Sequence, residues 1–552
     1  MSEGSEYGAD TDQAVQTRVY QVTGPPGTGK TTTLARYCED AVERHGSDRV
    51  VVASLTRAAA AEIAGRGIHV DHEHVGTLHA LCYRALGHPE IAESHIGEWN
   101  EQAVEFRLTV DPGSAGLEVP SEPAGMETIG DRIRDRVEML RHRLVPETEW
   151  GPTELRFFAL WSKWLADSGL IDFTGLLEQA IHELDAAPGS PAVLIGDEVQ
   201  DWSRLEARLF RDVWGAEAGT VVLAADPDQA IYEWRGADPR IFLDAPVPPE
   251  QERLLGQSYR VPREVHALAQ RVIRRIPSRR DVEYRPREED GDVSRSHATW
   301  RSPELLLPLI ERALSDGESV MILASCGYLL APTLAVLRRN GIPFSNRYRA
   351  AEGRWNPLAR GTAKRTMPVD RVLAFLRPSG DVWGSQAAEW ESHDVDRWID
   401  PLVSDGVLAR GAKTLAKSDG FEIARDFERL FVGGLESSDA RAALALDLAW
   451  YRSSLLPSRL APLDFPLRVA ERRGGAALLA APMVTIGTIH SVKGGQSDTV
   501  ILFPDLSMQA YREATTPVGR DAIHRLYYVA ITRARQRVIL CQPSTPSSVR
   551  LA

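Results

Sequence analysis

Gly24-Pro25-Pro26-Gly27-Thr28-Gly29-Lys30-Thr31 keeps the G-x-x-x-x-G-K-[ST] spacing of a phosphate-binding loop. The chemistry asked of such a loop is oxyanion binding. Backbone N–H groups curl round the anion, and the helix that begins with Lys30, Thr31 and Thr32 turns its positive end to the same point. Gly27 and Gly29 supply unusual dihedrals and close backbone approach. Lys30 is placed to reach β- and γ-phosphates, and Thr31 to hold Mg2+. A bland glycine-rich connection is the alternative, and the order of strand, loop and helix argues against it. A second constellation is Asp197-Glu198, directly after the apolar run 192–195. Two adjacent carboxylates at the end of a strand suit a Mg-nucleotide site, where Asp197 holds the metal and Glu198 takes a proton from the attacking water. Farther on, Gln229 is positioned to feel a γ-phosphate. Tyr232, Trp234 and Arg235 form the aromatic-and-basic mixture that stacks bases and touches phosphates. Strand packing is the other reading of those two aromatics. Gln13 or Gln16, ahead of the first strand, is a candidate neighbour of an adenine or a solvated residue.

These residues need an α/β scaffold. Hydrophobic patterning predicts strands at 18–23, 49–55, 192–195 and 220–225, and helices at 30–44 and 56–66, with Thr77 and His79 leading into another helix. Residues 89–169 read as a helical insertion broken by Pro and Gly near 111–125. The second half repeats the plan. Strands are expected at 318–324, 483–488, 499–503 and 537–541, with helices at 262–274, 328–340 and 520–531. Between them, 349–481 shows helical stretches at 369–375, 389–403 and 440–453 and little strand pattern. Its scattered tryptophans, Trp355, Trp383, Trp390, Trp398 and Trp450, read as core. Seven arginines between 271 and 287 are a candidate DNA-phosphate track or a solvated helix face. The expected division is 1–88 plus 170–238, 89–169, 239–348 plus 482–542, 349–481, and a flexible tail at 543–552.

At 552 residues the chain is too long for one core. It carries no apolar run long enough for a membrane span and no secretory pattern at its acidic start. Four scattered cysteines suit a reducing cytoplasm rather than a Cys-rich metal site. A net charge of −13 argues against non-specific coating of nucleic acid but leaves room for a local basic groove.

The collinear series of phosphate loop, Leu55-Thr56-Arg57, Gly76-Thr77-Leu78-His79, Asp197-Glu198-Val199-Gln200-Asp201, 226–236, Ser258-Tyr259-Arg260, Gly487–Gly494 and 528–535 resembles the UvrD/Rep-like superfamily 1 DNA helicases. The resemblance implies an α/β protein of two tandem RecA-like parallel-sheet P-loop domains, each with an inserted mainly helical subdomain. It implies hydrolysis of ATP with Mg2+ and 3′→5′ movement on single-stranded DNA that unwinds duplex. By the same resemblance Gly24–Thr32 bind the nucleotide, Tyr259 stacks on adenine, Gln496 stands near the sugar, and Arg260 and Arg533 are arginine fingers. Thr56, Arg57, Thr77, His79, Tyr232, Trp234, Arg235, Thr488, His490 and Lys493 line the DNA. The implied partners are single-stranded and tailed duplex DNA, with loading or repair proteins, no membrane and a monomeric state.

Several positions depart from the family pattern. Leu55 replaces an aromatic that touches a base, Ser258 an Asn, Ala225 a Gly and Gln496 a Glu, and the acidic pair before Arg525 is reduced to Asp521. None of these touches Lys30, Glu198, Gln229, Arg260 or Arg533. Hydrolysis is therefore expected to survive, with DNA grip the weaker expectation. Alternatives are a translocase that strips proteins from DNA with weak unwinding, and an ATP-driven switch with a protein partner.

Overall fold

The computed structural model describes residues 17–54, 70–110, 128–346, 353–362, 365–377 and 390–551. Gln13, Gln16, Leu55, Thr56, Arg57, Trp383 and the expected helix 56–66 lie outside the described residues. The chain forms two compact units, residues 1–290 with 516–532, and residues 291–515 with 533–552.

The first unit holds a six-stranded sheet of β1 (Arg18–Thr23), β2 (Val50–Ala53), β3 (Val75–Gly76), β4 (Val193–Gly196), β5 (Thr220–Ala225) and β6 (Glu252–Leu254), ordered β3-β2-β4-β5-β1-β6. Every pairing is parallel, which is why the strands read as unbroken apolar runs: both faces are covered. The period of two divides them. Val22, Val50, Val52, Ile195 and Val222 face α1 (Lys30–His45) through Leu34, Ala35, Cys38 and Ala41. Val51, Leu194, Val221 and Leu223 meet Leu81, Leu177, Phe210 and Trp214 on the other face. Each fully buried side chain of this kind contributes about 1.5–3 kcal/mol.

The described residues of 89–169 carry helices. Helix α3 (Ile129–His142), which follows α2 (Leu78–Ala85), starts at a Thr128/Asp131 capping box. The helix Pro152–Ser168 packs Phe157, Trp161 and Trp164 against Trp99. Arg141 ties the insertion to Asp172 through a buried ion pair of 2.6 Å. Residues 239–290, expected in the second parallel-sheet domain, contribute β6 to the edge of the first sheet, because Gln21–Thr23 offer it a parallel ladder. The helix Arg263–Ile273 then packs on the helix Pro517–Ile531 in the same unit.

The second unit has a second all-parallel sheet of β7 (Asp292–Ser296), β8 (Val320–Ala324), β9 (Phe344–Ser345), β10 (Val484–Thr488), β11 (Ser497–Leu502) and β12 (Ala534–Cys541), ordered β7-β12-β11-β8-β10-β9. Its insertion is helical. Trp355, Trp390 and Trp398 are buried with Phe375, Phe427 and Tyr451, and Trp450 packs against them, so these tryptophans are core. The single helix expected at 440–453 breaks in two at Leu446, whose φ is +54°, and restarts at the Asp447 cap. Residues 543–551, expected as a flexible tail, are tied down. The Asp505 carboxylate accepts from the Ser544 and Thr545 N–H groups, Leu506 N–H donates to the Ser547 carbonyl, and Leu551 is buried.

Candidate functional site

β1 delivers the chain to the glycine-rich loop, and α1 opens at Lys30 with Gly29 left-handed at its cap, φ +87°. Among the described residues no neighbour lies within 4 Å of where a Gly29 Cβ would sit, so the cradle is open there. At Gly27 a Cβ would sit 2.5 Å from Arg260 Cβ, and its φ is +76°, so only glycine fits. The Lys30 ammonium is buried and donates to the Gly24 carbonyl at 2.6 Å. Thr28 closes the loop on the Pro25 carbonyl at 2.8 Å. Thr31 and Thr32 are half-buried in the first turn of α1.

β4 presents Asp197 and Glu198 at its carboxyl end. Asp197 is buried, and its Oδ1 accepts the Glu198 N–H at 2.9 Å. Glu198 sits at φ +56°, ψ +38°, a conformation that costs a non-glycine residue of order 1–3 kcal/mol and persists only when its surroundings enforce it. Gln200 supplies part of that enforcement. Its side-chain amide donates to the Glu198 carboxylate and, at 3.2 Å, to Asp201, while its carbonyl oxygen accepts the Asp226 N–H at 2.9 Å. Gln229 is buried and donates to Asp226 Oδ2 at 2.7 Å. Burial pushes the Asp226 carboxyl up to about 6, against the pull of the Lys30 charge. Asp228 pairs with Arg279 at 2.9 Å. These carboxylates and the buried ammonium therefore share one pocket of charge at the strand ends. Thr31 hydroxyl and Asp197 carboxylate are hard oxygen donors of the kind Mg2+ selects, so the residues present fit that ion.

Residues 256–260 close on the loop. Tyr259 N–H donates to the Gly27 carbonyl at 2.8 Å, and Ser258 Oγ and Tyr284 OH both donate to the Pro26 carbonyl at 3.0 Å. That brings Arg260 against Gly27 and leaves the Tyr259 ring 75% exposed. Arg533 lies in the second unit, buried, with its guanidinium 3.3 Å from the Gly495 carbonyl, and Gln496 is exposed beside it in sequence.

Two family models match the chain. One, described as an AAA domain, covers residues 9–235, and the other, a UvrD-like helicase C-terminal domain, covers 483–541. The chain is 25% identical to the ATP-dependent DNA helicase UvrD2 of Mycobacterium tuberculosis over 93% of its own length and 75% of the relative's. It is 24% identical to UvrD1 of Mycobacterium leprae over 95% and 80%. A shorter match, 27% identical over 33% of this chain and 17% of the relative, is to the RecBCD enzyme subunit RecB of Chlamydia muridarum. Both matched regions and these relatives support a UvrD-like helicase.

The residues expected on the DNA track divide by exposure. Trp234 is 49% exposed, whereas Tyr232 is buried beneath it, ring centroids 6.5 Å apart, with the Arg235 guanidinium 5.5 Å over the Tyr232 ring. Thr77 is buried as the cap of α2, accepting the Ala80 N–H at 3.2 Å. His79 is buried near Glu206, 4.0 Å away, and His142, 6.5 Å between ring centroids. Burial lowers both imidazoles despite Glu206, His142 to about 4. Thr488 is fully buried at the end of β10 and accepts the Ser491 N–H, while His490 and Lys493 are half-exposed.

Sequence reasoning passed over four contributors to this UvrD-like site. Gln200 stood inside the acidic motif without a role. Tyr284 and Arg279 lay in or beside the arginine run, where nothing in spacing pointed to the loop or to Asp228. His142 looked like a helix-end residue, yet its Nδ1 lies 3.0 Å from Ser203 Oγ. The run itself is largely neutralised. Arg279, Arg280, Arg285 and Arg287 pair with Asp228, Glu252, Glu283 and Glu289.

Proposed function

We propose that this chain hydrolyses ATP to drive 3′→5′ movement along single-stranded DNA and to separate duplex ahead of it. The observation that carries this reading is the constellation of Lys30, Glu198 and Gln229 past the carboxyl ends of β1, β4 and β5: Glu198 and Gln229 are joined through Gln200 and Asp226, and the Lys30 charge acts on Asp226.

In this reading Lys30 and the loop N–H groups bind the β- and γ-phosphates. Mg2+, held by Thr31 and Asp197, neutralises phosphate charge when bound. Glu198 orients a water and takes its proton as the water oxygen bonds to the γ-phosphorus and the bond to ADP breaks, leaving inorganic phosphate. Gln229, joined to Asp226, registers the presence of the γ-phosphate. Arg260, set against Gly27, stabilises charge in the transition state, a role worth about 10³–10⁵ in rate for arginine fingers. Arg533 is proposed as a second such cation. Tyr259 is the adenine platform, and Gln13 and Gln496 are the remaining nucleotide contacts carried by the resemblance. Trp234, Arg235, His490 and Lys493 offer exposed surface to the strand. Thr56 and Arg57 join them by resemblance, and buried Tyr232, Thr77, His79 and Thr488 act from beneath. The helical insertions 89–169 and 349–481, the cytoplasm as compartment and a monomeric state belong to the same proposal.

The test is steady-state ATP hydrolysis with and without single-stranded DNA, followed by displacement of a strand from a 3′-tailed duplex. Strong stimulation with strand release supports the reading. Stimulation without release points instead to a protein-stripping translocase, and turnover indifferent to DNA removes the motor in favour of a switch.

A further inference from the structure

The carboxyl edge of the second sheet carries ring surface that the strand-track residues leave unused. β8 ends at Ala324, whose carbonyl accepts the Ile489 N–H at 3.0 Å. The turn Gly327–Leu330 that follows packs against β10. The turn that carries Tyr328 thus lies at the strand whose last residue, Thr488, leads into His490 and Lys493. Leu329 and Leu330 are buried, yet the Tyr328 ring is 54% exposed. β7, parallel to β12 and so ending at the same edge, delivers Trp300 and Arg301. Trp300 meets Tyr328 edge-on, with centroids 6.2 Å apart and planes at 85°. The Arg301 guanidinium lies 5.0 Å over the Trp300 ring, and the indole also packs against the core of the unit.

We propose that Tyr328, seated on Trp300 with Arg301 beside it, is a base-stacking station for single-stranded DNA on the second unit. Each part has a physical task. A half-exposed tyrosine braced by a packed indole presents ring surface at low entropic cost, and any base can stack on such a ring. The neighbouring guanidinium supplies a cation for the phosphate next to the stacked base. Exposed Leu305 and Leu309 nearby would also suit a protein surface. The cation and the continuity with Thr488–Lys493 favour an unpaired, anionic strand. The station rests on the reading of the chain as a DNA motor.

Equilibrium binding of the full chain to labelled oligo(dT), and to the same oligomer with abasic sites, tests it by fluorescence anisotropy. Tyr328→Ala is expected to weaken oligo(dT) binding about fivefold or more, and Tyr328→Phe to stay within about twofold because the ring remains. On the abasic oligomer wild type and Tyr328→Ala should bind alike. Tyr328→Leu, which keeps apolar volume, should repeat the loss if Tyr328→Ala melts early. Equal oligo(dT) binding by the Ala variant, an equal loss on abasic strands, or a Phe variant as weak as Ala overturns the station. If wild type itself fails to bind oligo(dT), the motor reading falls with it; if wild type binds and only the Ala effect is missing, the station alone falls.

Discussion

Ser258 Oγ donates to the Pro26 carbonyl at 3.0 Å, and the same oxygen accepts the N–H groups of Arg260 and Val261 at 3.3 and 3.1 Å. A fully buried hydroxyl thus ties the loop to the backbone of residues 260 and 261, where Arg260 lies against Gly27. Ser258→Ala should cost about 0.5–1.5 kcal/mol for the lost bond, more if the two N–H groups find no water. It should also raise KM for ATP as Arg260 loosens, with Tyr284 still holding Pro26. Thermal unfolding and ATP kinetics check both, and an unchanged KM would show that the loop holds its shape without Ser258.

Glu198→Gln preserves shape and removes the charge. Loss of a general base typically lowers turnover about 10²–10⁴-fold, so the variant should bind nucleotide while turning it over slowly. Fluorescent-nucleotide binding beside phosphate release separates the steps. If nucleotide binding is lost as well, the left-handed turn at Glu198 has a structural role that outweighs the catalytic one.

His142 predicts a pH dependence. Its folded value near 4 lies below the value of about 6.5 for an exposed imidazole, so between those limits the unfolded chain binds more protons. The stabilisation is therefore complete above about pH 6.5 and is lost as pH falls through 4, at up to about 1.4 kcal/mol per pH unit and proton. His79, also lowered by burial, loses stability in the same direction as pH falls below the ordinary imidazole range. The melting temperature should drop between pH 7 and pH 5, and His142→Gln, whose amide can replace the ring contact with Ser203, should flatten that drop. A profile of unchanged steepness in the variant would assign the acid sensitivity elsewhere.

Much of this architecture was legible because parallel-sheet strands bury both faces. β5 was readable residue for residue as Thr220–Ala225, and the phosphate loop and Asp197-Glu198 fell at strand ends as their spacing required. What escaped depended on contacts distant in sequence. β6 is a three-residue edge strand defined by its partner β1, and the Tyr284–Pro26 bond spans 258 residues. The helix Pro457–Arg473 contains Pro462 and Pro466, residues that remove backbone donors and ordinarily argue against a helix. Five of its buried apolar side chains, Leu463, Phe465, Leu467, Val469 and Ala470, favour it instead. The separation of Tyr232 from Trp234 was equally hidden, since two aromatics two residues apart carry no sign of which one faces water.

That separation makes Trp234 the sharper probe of strand grip. Its ring is half exposed, its centroid 6.5 Å from that of the buried Tyr232, so truncation removes exposed ring surface while leaving the buried ring in place. Trp234→Ala should weaken single-stranded DNA binding by about 1–3 kcal/mol, roughly 5- to 150-fold, with a small change in melting temperature. Tyr232→Ala empties a buried site and should cost about 3–5 kcal/mol of stability, as large aromatic truncations do. The two substitutions are thus expected to move different observables, affinity for Trp234 and melting for Tyr232. If Trp234→Ala lowers the melting temperature as much as Tyr232→Ala and leaves DNA affinity intact, both rings are packing, and grip on the first unit must come from Arg235 and its neighbours.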